Sequence, residues 1–166
     1  MKKNVFAILV AFIVTGIFIA HIGISAEVET YRVAYPEGYR QWTHVKSMVI
    51  EKGHPLHDSF GGIHHIYANK RALGAMKKGT AFPDGSVLIF DLLEAKRDNN
   101  AIVEGQRKVV GVMEKDSRKF THTGGWGFEG FKGDTAERVV SNPKTDCFDC
   151  HESQEQHDYV FSTYRK

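Results

Sequence analysis

Downstream of residue 40 the apolar residues fall in short blocks separated by Gly, Pro, Asn and Asp, and most blocks are too short for a helix. Val45, Ser47 and Val49 alternate with Lys46, Met48 and Ile50, a strand pattern with apolar bias on both faces. Gly61-Gly62 interrupts the chain, and Ile63 to Ala68 returns to strand. Ser86 to Leu93 is the strongest buried-strand pattern, because Val87-Leu88-Ile89-Phe90 presents apolar groups to both sides. Its two-residue alternation puts Leu88, Phe90 and Leu92 on one face. Lys108 to Met113 predicts another strand, and Gly125-Trp126-Gly127-Phe128-Glu129-Gly130-Phe131 a glycine-thinned one. Between the strands, Asn69 is placed to cap a helix over 70–78 that Gly79 stops. Tyr35 to Trp42 predicts a short helical turn opened by Pro36, Phe82-Pro83-Asp84-Gly85 a turn, and Asp98-Asn99-Asn100 a break. The pattern is that of an α+β domain with an antiparallel β-sheet of four to five strands and short helices.

The N-terminus follows a different rule. Val5 to Ala20 is apolar apart from Thr15 and Gly16, stands behind Lys2 and Lys3, and runs into Ile24-Ser25-Ala26. That order of basic, apolar and small residues predicts a secretory signal peptide over residues 1–26, cleaved after Ala26, with the folded domain at 27–166. An uncleaved membrane anchor is the alternative, because the apolar run approaches the roughly 18–20 residues that span a bilayer. Either outcome carries the folded part out of the cytoplasm. Charge adds little: removing residues 1–26 takes away Lys2 and Lys3 and no acid, which leaves 20 basic against 20 acidic groups. A neutral mature chain offers no electrostatic reason to bind nucleic acid.

With 2 Cys, the 166-residue chain cannot form a disulfide-dense scaffold or a four-cysteine zinc or iron–sulfur site. Both cysteines lie in Cys147-Phe148-Asp149-Cys150-His151, the C-x-x-C-H attachment sequence of a c-type haem. Two thiols must reach two vinyl groups on one porphyrin edge, while the next residue places an imidazole beneath the iron. Cys147 and Cys150 are therefore the candidate thioether residues of one covalent haem c, and His151 the candidate axial iron ligand. Three other chemistries fit a C-x-x-C pair: a local disulfide, a thioredoxin-like redox couple, and a zinc site that would need His157 and a further ligand. The export signal favours haem attachment, and the C-terminal position of the pair disfavours the redox couple.

Beyond this motif, the chain resembles the cytochrome P-460 family, which includes the beta-type cytochromes c-prime. The resemblance rests on Trp42 to Val49, Ile66-Tyr67-Ala68-Asn69, Phe82 to Leu88, Gly111 to Asp116, Gly124 to Phe128, the haem motif and Asp158-Tyr159-Val160-Phe161-Ser162. These segments keep family order over roughly residues 35–163. The resemblance implies an antiparallel sheet over one haem face, a C-terminal haem-binding segment and, commonly, a homodimer. It also implies a periplasmic protein whose haem meets small nitrogen oxides. Some members oxidise hydroxylamine at a haem linked to a lysine and pass electrons to a partner cytochrome. Others lack that link, bind nitric oxide or carbon monoxide, and carry aromatic residues over the iron.

The strand after the Pro-Asp-Gly turn, where the linking lysine is expected, contains none before Lys96, and Phe90 stands in about its place. Phe90 is thus the candidate haem-contacting residue on the side opposite His151, and no lysine–haem bond is expected. Lys70, Lys77 and Lys78 read as solvent-facing helix residues. Met113 could supply a sixth ligand but reads better as core filler. His44, His64, His65 and His122 read as surface or hydrogen-bonded, and His54 and His57 as solvated loop residues. Glu94, Asp116 and Glu129 are the candidate carboxylates for deprotonating hydroxylamine. Trp42 and Trp126 read as packing residues. The catalytic residues, and whether the haem turns over or only binds gas, stay open at this level, as does a purely electron-transferring protein.

Overall fold

The computed structural model describes residues 32–165, so the signal-peptide and anchor readings of residues 1–26 lie outside the described residues. Five strands follow one another as an antiparallel meander: β1 (Thr43–Ile50), β2 (Gly62–Ala68), β3 (Val87–Asp98), β4 (Ala101–Lys115) and β5 (Trp126–Lys132). A one-turn helix, α1 (His57–Phe60), sits in the β1–β2 connection, and α2 (Lys70–Lys78) joins β2 to β3. The predicted α2 boundaries hold because both ends are chemically fixed. Asn69 Oδ1 accepts the Ala72 N–H at 2.9 Å, while its amide donates to the Gly85 carbonyl at 2.9 Å. Gly79 closes the helix in the left-handed region, with φ 65°.

The sheet buries both faces. On one, Ala68, Leu88 and Phe128 pack with Ala72 and Ala75 of α2 and with Phe82, Trp126, Phe148 and Val160. On the other, Tyr67, Ile89, Val110, Val112 and Phe131 are covered by Val33 and Tyr39. This explains why β3 is apolar on both sides where it crosses the middle of the sheet.

Two sequence expectations change in detail. The helical turn near the start is a 3₁₀ turn at Tyr39–Gln41 that begins after Gly38 rather than at Pro36. More consequentially, β3 and β4 run well beyond the strands the pattern predicts. Their ladder continues through Ala95↔Glu104, Arg97↔Ile102 and Asp98↔Ala101, whereas β2 pairing with β3 ends at Ile63↔Leu93. The result is a two-stranded arm, closed by Asn99 and Asn100 at φ 51° and 63°. Apolar alternation misses it because an arm wet on both faces has none.

Candidate functional site

The C-x-x-C-H segment is helical but not uniformly so. A π turn at Lys144–Phe148 runs into a short α turn, α3 (Asp149–His151), and then a 3₁₀ stretch at Glu152–His157. Three- and four-residue spacings on such a helix put Cys147, Cys150 and His151 on neighbouring positions of one side. Phe148 is buried against Phe128 and Tyr159, with ring centroids 6.2 and 5.2 Å away. Asp146 ties the segment's start by accepting the Ser141 and Asn142 N–H groups at 3.0 and 2.8 Å. Those donors hold its carboxyl below the usual range.

Both cysteines are free thiols, Cys147 half-buried and Cys150 exposed. Burial, aided by Asp146 and Glu129, pushes the Cys147 thiol up to about 11. That is opposite to the depressed thiol of a thioredoxin-like couple. A zinc site lacks donors: among the described residues, no three His, Cys, Asp or Glu side chains are grouped to share a metal ion.

His151 is arranged as a ligand is. Its Nδ1–H donates to the Tyr159 carbonyl at 2.7 Å, which fixes the tautomer and leaves the Nε2 lone pair without a hydrogen bond among the described residues. Burial lowers its pKa, so the ring is neutral and able to bind metal. The rings of Phe128 and Phe161 flank it, each with its centroid 5.0 Å away.

Phe128 leads from His151 onto the sheet. The ladder aligns Phe128, Met113, Leu88 and Ala68 across β5 to β2, and this row belongs to the core. One pleat further on the same face, about 7 Å along the strands, stands the row Gly130, Gly111, Phe90 and Ile66. Two adjacent strands thus offer no side chain there. A Cβ at Gly111 would lie 3.3 Å from the Phe90 ring and Cβ, and one at Gly130 would lie 2.9 Å from Val139 Cγ2. Val139 and Val140 cover Gly130, so the strip is a shallow bed only over Gly111, bounded by Phe90; Met48 is 42 %, Phe60 40 % and Phe161 50 % exposed. A flat macrocycle fits a glycine-floored bed, and the donor set of two thiols and one unengaged imidazole nitrogen fits a covalently held haem.

Phe90 is where the strand pattern puts it, and it has company that the sequence does not reveal. Phe60 of α1 meets its ring edge-on at 5.8 Å, and His64 of β2 meets it at 4.5 Å. His64 is not a surface residue: it is 2 % exposed, its Nε2–H donates to the Phe60 carbonyl at 2.5 Å, and burial lowers its pKa. Only the β2 register, which sets His64 opposite Leu92 on the Phe90 face, could have drawn attention to it. Lys46 stands opposite Ile66 in the Phe90 row, a position hidden in the sequence by the β-bulge between His44 and Lys46.

The remaining candidates go elsewhere. His44, Ser47 and His65 form a hydrogen-bonded chain that ends on Glu104, and His122 is exposed. His54, Lys70, Lys77 and Lys78 face solvent, and His57 is half-exposed. Met113 packs against the core. Trp126 is fully buried, with its indole N–H on the Asp158 carbonyl. Each carboxylate is already engaged. Glu94 accepts the Gln106 N–H and pairs with Lys96. Asp116 caps the turn at Arg118 and Lys119. Glu129 is buried and bound to Arg138.

Among known protein families, residues 36–162 match the one described as Cytochrome P460. No curated protein matches the chain significantly. The matched range contains all five strands, the glycine-floored bed and the whole Cys147–His151 segment, and the chain therefore belongs to the cytochrome P460 family of c-type haem proteins.

Proposed function

We propose that the mature protein is an exported, periplasmic cytochrome with one haem held by Cys147 and Cys150, and that it binds nitric oxide or a similarly small neutral ligand. The observation that carries this reading is the pairing of an anchored His151, Nε2 unengaged, with an apolar bed walled by Phe90 and Phe60. When attached, the haem would supply an iron for His151 to hold and for a small molecule to bind. His151 holds its proton on Nδ1 and offers Nε2. Phe128 and Phe161 keep the imidazole from rotating. Phe90 and Phe60 present no donor or acceptor, and the polar neighbours on that face are His64, which is bonded to the Phe60 carbonyl, and Lys46.

Hydroxylamine oxidation needs a base beside the substrate. Glu94, Asp116 and Glu129 are committed to other partners, which favours capture of a diatomic gas over turnover. Electron transfer alone would call for a protein-supplied sixth ligand, and Met113 is packed in the core instead. Absorption spectra of the ferric and ferrous holoprotein, with and without nitric oxide, carbon monoxide and hydroxylamine, test the reading. High-spin spectra that respond to both gases, with slow hydroxylamine consumption, are expected. A low-spin spectrum insensitive to all three would overturn it.

A further inference from the structure

The carbonyl that anchors His151 is itself held in a demanding conformation. Asp158 and Tyr159 are consecutive non-glycine residues in the left-handed region, with φ 53° and 65°. Such backbone costs free energy at each residue and persists only where its surroundings enforce it. Here the enforcement converges on Asp158. Its Oδ2 accepts the Phe82 N–H at 2.8 Å, its Oδ1 the Lys115 ammonium at 2.6 Å, and its carbonyl the Trp126 indole at 2.8 Å. Lys115 is only 9 % exposed, donates also to the Gly124 carbonyl at 3.0 Å, and lies 5.2 Å from the Trp126 ring centroid. Tyr159 is clamped in turn: its N–H donates to Gln154 at 2.8 Å, and its ring occupies the space beside Gly124, where a Cβ would come within 2.2 Å.

Phe82, Lys115 and Trp126, distant from one another in sequence, thus meet on Asp158, two on its carboxylate and one on its carbonyl, and its neighbour supplies the His151 acceptor. A buried ion pair is a poor source of net stability, because both ions lose their hydration. A role in fixing geometry accounts for it better. We propose that Asp158, with Lys115, is a positioning residue for the axial histidine: it locks the left-handed Asp158–Tyr159 pair, aims the Tyr159 carbonyl at Nδ1, and so sets the donor strength of His151 toward the iron. Hydrogen bonding to the far nitrogen raises the basicity of a metal-bound imidazole and is one of the levers on haem potential and ligand affinity.

The inference rests on His151 as the iron ligand, and the test separates the two. Resonance Raman spectra of the ferrous, ligand-free holoprotein report the iron–histidine stretch directly. Asp158→Ala should shift that band to lower frequency and raise the reduction potential. Asp158→Asn, which keeps an acceptor for Phe82, should restore much of the wild-type value. Lys115→Met leaves Asp158 its Phe82 bond and should give a smaller shift in the same direction; it decides the matter if Asp158→Ala does not fold. A merely structural role would lower the melting temperature and leave the band in place, so unchanged frequencies in folded Asp158→Ala or Lys115→Met overturn the proposal. A wild-type protein with no iron–histidine band overturns the ligand assignment itself, and the inference with it.

Discussion

Phe90 is the residue whose effect is easiest to isolate. It stands on the central strand of the sheet, touches Phe60 and His64, and borders Gly111. Truncating it to Ala opens space without adding or removing a polar group. Phe90→Ala should raise the association rate of carbon monoxide with the ferrous protein by about tenfold, equivalent to roughly 1.4 kcal/mol of barrier; flash photolysis measures it. Unchanged rates would mean that Phe90 does not guard the iron. The converse change, Gly111→Leu, fills the bed from below and should sharply reduce haem occupancy, read from the ratio of Soret to protein absorbance. His64 gives the pH test. Its folded-state pKa is lowered by burial, so the unfolded chain binds the proton more readily. Its contribution is complete above the unfolded value near 6.5 and is lost as pH falls from there through the lower folded value. Melting temperature should therefore fall between pH 7 and pH 5, and His64→Gln should flatten that slope.

Individual elements were legible in the sequence to the extent that one local rule governed them. The helix α2 was readable to the residue because Asn69 and Gly79 act locally. Asn69→Ala should cost about 1 kcal/mol, and more if the Gly85 bond matters independently; thermal denaturation reads it. The haem-motif residues were legible because the chemistry is written contiguously in Cys147–His151. The β3–β4 arm was not, since Glu94 to Asp98 carries charge instead of apolar alternation and is held by main-chain pairing with polar contacts such as Arg97 to Glu51. Its tip makes a specific claim: Asn100, at φ 63°, is tolerated there, and Asn100→Ala should cost about 1–2 kcal/mol. Asn100→Gly should cost little by comparison.

At the scale of the whole molecule the same distinction holds. His64 and Lys46 come to the Phe90 face only through strand pairing and Phe60 through the packing of α1, and Asp158 meets Phe82, Lys115 and Trp126 only where the C-terminal tail docks. No spacing rule in the sequence relates those positions. The assembled molecule then has a sheet with a glycine, Gly111, beside Phe90 and a C-terminal segment that holds two thiols and an imidazole. Covalent loading should cover the exposed Met48, Phe60 and Phe161 and raise the melting temperature of the holoprotein over the apoprotein.

The deciding measurement is the intact mass of the protein, produced with cytochrome c maturation machinery and analysed after acid–acetone extraction. The polypeptide should retain the mass of one haem, with the modified peptide mapping to Cys147 and Cys150. A polypeptide that loses its haem on extraction, or a haem bound at any other residue alone, would contradict the account.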